Sequence, residues 1–152
     1  MPQSLAWNLI HLIFSVKYRK RLILPRVRPK LYGYMSTVLE GMDCQPIEIG
    51  GVDDHVHLLF ALSRNLALKD AVEETKKSSS RWMKSPAGIG HRDFYWQGGY
   101  AAFSVSASNQ TRVANYIRNQ EEHHRKMTFE EELKKLLDRH GVRYDERYLL
   151  NE

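Results

Sequence analysis

The chain is poor in the features that mark a secreted scaffold, a membrane protein or a fibre. Its 152 residues include one cysteine, Cys44, so no intrachain disulfide can form and a small bridge-stapled fold is excluded. A lone thiol fits a reducing, cytoplasmic setting, which is the expected location. No apolar run approaches the roughly 20 residues that a spanning helix needs. The opening MPQSLAWNLIHLIF has no positive stretch before its apolar part, so neither export nor membrane association is expected. Repeats, low-complexity tracts and linkers are missing too, and one domain over 1–152 is expected. Charge of one sign is also modest. With 23 Lys and Arg against 18 Asp and Glu, the formal net charge is +5. That balance favours polyanionic partners over acidic lipid, but many proteins that bind neither share it.

The chain does have apolar content. Hydrophobic residues make up 42% and aromatics 11%, enough to build a core and to exclude disorder as the main state. Residues 5–16 are apolar and β-favouring, the pattern of a strand buried on both faces. Pro25 and Pro29 open a helix through Leu39, with Gly41 at its end. Residues 46–52 and 55–62 read as antiparallel strands joined by Asp53-Asp54. Residues 66–83 carry Leu68, Ala71, Val72, Thr75 and Ser79 at helical spacing, with cations around them. Residues 94–106 return to strand character, broken at Gly98-Gly99. Ser108 or Asn109 caps a helix to about Arg125, and Thr128 with Glu131 forms a capping box for a last helix ending near Gly141. The order predicts an α+β, ferredoxin-like fold. It is a split β-α-β antiparallel sheet with helices on one face, plus C-terminal helices, residues 128–152 forming a helix and tail.

Three sets of residues carry candidate chemistry. His55-Val56-His57 lies in a strand, where alternation sends both imidazoles to one face with Cα atoms roughly 6.5 Å apart. Two such rings can share a metal ion, although a triplet this short also arises by chance and does not decide the question. Tyr116 and Gln120 are four residues apart, one helical turn. A glutamine oxygen is an acceptable ligand for Mg²⁺ or Mn²⁺, and a phenol can act as a nucleophile. Taken separately, they read more readily as a core-edge aromatic and an ordinary exposed polar residue, and only their combination shifts that reading. The third set is basic. Lys17, Tyr18, Arg19, Lys20 and Arg21 form one cluster, and Lys69, Lys76, Lys77, Arg81 and Lys84 line a helix. Both offer charge for phosphates, with Tyr18 and Trp82 available to stack on unpaired bases. Tyr95, Trp96 and Tyr100 read as core and bulge. His11 reads as a strand histidine with a local hydrogen bond, and His123 and His124 as partners of a helix dipole; none of the three is assigned to a metal. Asp53 and Asp54 fit a turn and also fit support of a ligand histidine.

The segments IHLIFSVKYRKRLI, DDHVHLLFAL, KKSSSRW, FYWQGGYAAFSVS and NYIRNQEEHH follow one another through nearly the whole chain. Together they resemble the single-tyrosine transposases of the insertion-sequence-two-hundred type, within the wider superfamily of His-hydrophobic-His endonucleases. The His pair precedes the tyrosine, which separates the chain from relaxases. Glutamine in the third place, where repeat-associated relatives often have histidine, points to the insertion-sequence branch. By position, the resemblance implies His55, His57 and Gln120 as ligands of Mg²⁺ or Mn²⁺ and Tyr116 as the nucleophile. The activity it implies is cleavage and rejoining of single-stranded DNA through a 5′-phosphotyrosine, on hairpin-shaped ends. It also implies a homodimer in which the tyrosine helix of one subunit can complete the His pair of the other. A replication initiator or domesticated nuclease with the same site, and a non-catalytic nucleic-acid-binding module, stand as alternatives. No residue is identified as the base for Tyr116, and residues after Met127 carry no assigned role.

Overall fold

The computed structural model describes residues 2–149. Its centre is a pair of strands, β1 (Leu9–Ser15) and β3 (His55–Ala61), in which every residue is buried. Strands β2 (Gln45–Gly51) and β4 (Ala101–Val105) flank them in the order β2-β3-β1-β4, all antiparallel. Burial on both faces explains why β1 and β3 read as near-continuous apolar runs rather than as alternating ones. Helices α1 (Arg28–Gly41) and α2 (Leu68–Lys84) cover one face. Leu31, Met35, Leu39, Ala71, Val72 and Met83 pack there against Leu12, Phe14, Val56, Leu58 and Phe60. The fold is the expected α+β split β-α-β sheet.

The opposite face is covered by the C-terminal helices. Ala114 and Ile117 of α3 (Gln110–Arg118) pack on Leu9, Leu59 and Ala61. Phe129, Leu133, Leu136 and Leu137 of α5 (Phe129–Arg139) pack with Ile13 and Phe103. Each such buried side chain contributes about 1.5–3 kcal/mol, so four of them hold α5 firmly on the sheet. Thr128 caps α5 by accepting the Glu131 amide at 3.2 Å, as the capping-box reading expects. No helix among the described residues is long and apolar enough to cross a membrane.

Three boundaries differ from expectation. Residues 5–8 are not strand, and Leu5 and Trp7 are exposed, because the ladder ends where Leu9 pairs with Ala61 and Val105. In 94–106 only Ala101–Val105 pairs as a strand. Trp96 makes a lone bridge to Val16, and the chain leaves the sheet at Gly98-Gly99, where Gly99 has φ +90°. Trp96 is core, its indole donating to Ser79 at 2.9 Å, whereas Tyr95 and Tyr100 are exposed. The helix expected to reach Arg125 breaks at Asn119 (φ −98°, ψ 24°) and resumes as α4 (Gln120–His123).

The seat of α3 depends on a glycine. A Cβ at Gly50 of β2 would collide with the Ile117 carbonyl oxygen, so β2 and α3 touch backbone to backbone. Gly50→Ala is expected to push α3 off the sheet and to lower stability by about 1–3 kcal/mol, measured by urea denaturation.

Candidate active site

Strand alternation turns His55 and His57 to the face under α3 and α5, where both are fully buried and their ring centroids are 5.2 Å apart. Each ring is tied at its outer nitrogen. His55 Nδ1 lies 2.7 Å from Asp54 Oδ1, and His57 Nδ1 lies 2.8 Å from Nε2 of buried His11. Asp54 therefore holds a ligand candidate as well as forming the β2-β3 turn, and the local partner of His11 is His57 itself. The two Nε2 atoms point inward.

They meet Glu132, which comes from the buried side of α5. Its Oε1 is 3.1 Å from His57 Nε2, 3.3 Å from His55 Nε2 and 2.9 Å from His124 Nε2. Its Oε2 accepts the Gln120 amide at 2.9 Å and the Tyr116 hydroxyl, with His123 Nε2 3.4 Å away. Gln120 Oε1 also approaches His55 Nε2, at 3.2 Å. Phe129, one turn before Glu132, stacks on the His55 ring at 4.1 Å. The structure thus brings Tyr116, Gln120, His55 and His57 together within one chain, even though Asn119 interrupts the helix between Tyr116 and Gln120.

Electrostatics follow from this crowding. Burial alone would raise the Glu132 carboxyl, but hydrogen bonds from His124, His55 and His57 outweigh it and hold the group well below the carboxylate range. Burial pushes His11 down to about 3, with His57 adding to the effect. It also pushes His57 down to about 4 against the pull of Glu132. His55 is raised, because its bonds to Asp54 and Glu132 overcome its own burial. Tyr116 is raised by burial and then by the negative charge of Glu132. As arranged, Tyr116 is a phenol bonded to a carboxylate.

Glu132 and His124 were outside the candidate set read from sequence. For Glu132 a signal existed. Phe129, Glu132, Leu133, Leu136 and Leu137 follow the i, i+3, i+4, i+7, i+8 spacing of one buried helix face, and Glu132 is the one charge in that stripe. His124 carried no such mark, since a histidine at a helix end is commonplace. The inner atoms of His55, His57, His124 and Glu132 all lie within 4.8 Å of one another, and mixed imidazole and carboxylate donors suit a divalent cation.

The basic segments are distributed unevenly. A cleft of about 740 Å³ opens beside Asp54, His124 and Phe129 and is lined by Arg19, Arg21, Arg28, Arg125 and Lys126 together with Asp53, Glu121 and Glu131; Arg28 pairs with Glu121 at 2.9 Å and Arg21 with Asp53 at 3.8 Å. Lys17, Tyr18 and Lys20 turn away toward Tyr95. Tyr18 is exposed with φ +60°. Lys77 and Arg81 are exposed on α2, which lies across the sheet from the histidines, so they do not flank the same pocket. Lys76 donates to the carbonyls of Gln97 and Gly99 and so braces the glycine loop.

Because the folded-state pKa of Glu132 is depressed, its stabilisation is present above the unfolded value of about 4.3 and is lost as pH falls toward the folded one. In metal-free protein, Glu132→Leu is therefore expected to flatten the acid limb of the stability curve below about pH 5, measured by urea melts at stepped pH.

The ISDra2 transposase TnpA of Deinococcus radiodurans is 27% identical over 117 residues, covering 72% of this chain and 81% of that protein. A crystal structure of a transposase from Deinococcus radiodurans superposes with a TM-score of 0.59 at 23% identity, covering 79% of this chain and 96% of the other. The REP-associated tyrosine transposase bound to a REP hairpin gives a TM-score of 0.60 at 12% identity, covering 82% and 74%. These two likenesses establish the shared fold. Residues 6–120, well over half the chain, match the family described as IS200-like transposase, and the chain belongs to that family.

Proposed function

We propose that this transposase cuts and rejoins single-stranded DNA by transesterification through Tyr116. The observation that carries the reading is the meeting of the Tyr116 hydroxyl, the Gln120 amide and the inward nitrogens of His55 and His57 around one point of a single chain. Tyr116 Oη attacks the scissile phosphorus, the bond from phosphorus to the 3′-oxygen breaks, and a 5′-phosphotyrosine and a free 3′-hydroxyl remain. Attack by another 3′-hydroxyl reverses the step and joins new strands, so the bond energy is kept without ATP or water. A divalent cation, Mg²⁺ or Mn²⁺, held by His55, His57 and Gln120 would supply charge stabilisation for the phosphate and the departing oxygen.

The remaining work falls to the chain. Asp54 and His11 fix the ring planes of His55 and His57 from behind. Glu132 accepts the Tyr116 hydroxyl and so orients the phenol. The cleft with Arg19, Arg21, Arg28, Arg125 and Lys126 is where the strand's phosphates would lie, and exposed Tyr18 offers a ring for an unpaired base. Lys17, Lys20, Lys77 and Arg81 would then neutralise phosphates farther from the reacting bond. The relative bound to a REP hairpin supports hairpin-ended DNA as the substrate. A homodimer accords with the family resemblance, but one chain already supplies every group named here.

Incubation with single-stranded DNA from beside the gene that carries a hairpin-forming palindrome, followed by SDS electrophoresis, tests the reading. Wild type is expected to form an SDS-resistant adduct, and Tyr116→Phe to form none while binding the strand as before. An adduct on the phenylalanine variant removes Tyr116 as nucleophile, and binding without any wild-type adduct leaves a non-catalytic module. Replacing Arg19 and Arg21 by Ala is expected to weaken binding and to reduce the salt slope by about 0.7 for each phosphate left without its cation, measured by fluorescence anisotropy across salt concentrations.

A further inference from the structure

The donor set usually inferred from a His pair and a downstream glutamine leaves α5 out, yet α5 contributes the most central group. We infer that Glu132 and His124 are themselves cation ligands, joining His55 and His57 in a centre of three imidazoles and one carboxylate that selects a first-row transition ion over Mg²⁺. This extension rests on the metal-assisted reading above.

Two observations carry it. The first is the direction of the rings. Asp54 Oδ1 and the Met127 carbonyl, 2.7 and 2.8 Å from Nδ1 of His55 and His124, can only accept, so each Nδ1 donates outward. In a neutral imidazole this leaves a lone pair on Nε2, and both Nε2 atoms face Glu132 Oε1. For His55 a second oxygen, from Gln120, faces the same nitrogen. Positive charge must therefore lie between these atoms: in the metal-free protein a ring proton donated to Glu132 supplies it, and a bound cation would take that place. A proton on each ring would put neighbouring imidazolium charges in a buried pocket, with the His55 and His124 centroids 4.6 Å apart. One cation serves all the nitrogens at once. An outward Nδ1 bond to a carboxylate or backbone carbonyl is also the usual support of a metal-bound histidine.

The second observation is spacing. Donors about 2.0–2.2 Å from a shared tetrahedral ion stand roughly 3.4 Å apart. The three nitrogens lie 2.9, 3.1 and 3.3 Å from Glu132 Oε1, slightly inside that value, and all four donors lie within 4.8 Å of one another. Three imidazoles suit Zn²⁺ or Co²⁺ and are accepted by Mn²⁺, the weakest binder of the series, whereas Mg²⁺ prefers oxygen donors and retains its waters.

The experiment is calorimetric titration of chelator-stripped full-length protein with MnCl₂, repeated with CoCl₂ while recording its visible absorption bands. Wild type is expected to bind one ion, with Mg²⁺ at about hundredfold excess failing to displace it. Glu132→Gln and His124→Ala should each lose at least about tenfold in affinity, a loss that removal of a mere outer partner can already cause, and His124→Ala should shift the Co²⁺ bands. Melting of the metal-free proteins identifies any variant that fails to fold, and His124→Gln then replaces His124→Ala. Affinity within about twofold of wild type for both variants, with His57→Ala still impaired, overturns the inference and leaves the His pair and Gln120 as the whole site. Tighter binding by Glu132→Gln also overturns it, since the carboxylate would then be a competitor for the cation's place. If His57→Ala binds as wild type, the metal reading of the reaction falls as well.

Discussion

A single buried carboxylate organises this molecule. Taken from water without partners, such a charge costs several kcal/mol; here Glu132 is met by His55, His57, His124, Gln120 and Tyr116. Those partners come from β3, α3, α4 and the turn that follows α4, while the carboxylate comes from α5. Its satisfaction therefore joins parts of the chain that share little else. The same grouping brings a phenol, an amide and imidazoles to one point, which is also what strand transfer by a tyrosine requires.

Packing makes the grouping possible. The two central strands are buried on both faces, so the sheet sends one set of side chains to a largely apolar core under α1 and α2 and the other to a mixed face under α3 and α5. Gly50 lets α3 approach β2 at backbone distance, which sets the height of Tyr116 above the sheet. The apolar stripe of α5 holds Glu132 down in the pocket, and Phe129 caps the His55 ring. Charge follows the same division. The arginines of the cleft open beside His124, on the side of the mixed face, whereas the exposed cations of α2 lie beyond the opposite core.

Much of this was readable from the chain in advance. The His pair shows itself because β alternation is local and puts residues 55 and 57 on one side whatever surrounds them. The capping box of Thr128 and Glu131 is local too. The break at Asn119 was not readable, because the residues on either side of it continue an acceptable helical pattern. His123 and His124 looked like dipole partners of a helix end, since nothing nearby in sequence shows that another helix will bring a carboxylate to them. Glu132 left a trace as a charge in an apolar stripe, but a trace of that kind does not name its partners.

The sequence alone determined the order of elements, the sidedness of the strand histidines and the lack of disulfides, all of which depend on period, spacing and composition along the chain. Tertiary structure decided that α5 closes over the imidazoles, that Tyr116 and Gln120 converge across a helix break, and which cations flank the site. Those outcomes depend on desolvation and hydrogen bonding between groups up to 77 positions apart, Glu132 against His55, and such energies exist only once the faces have packed.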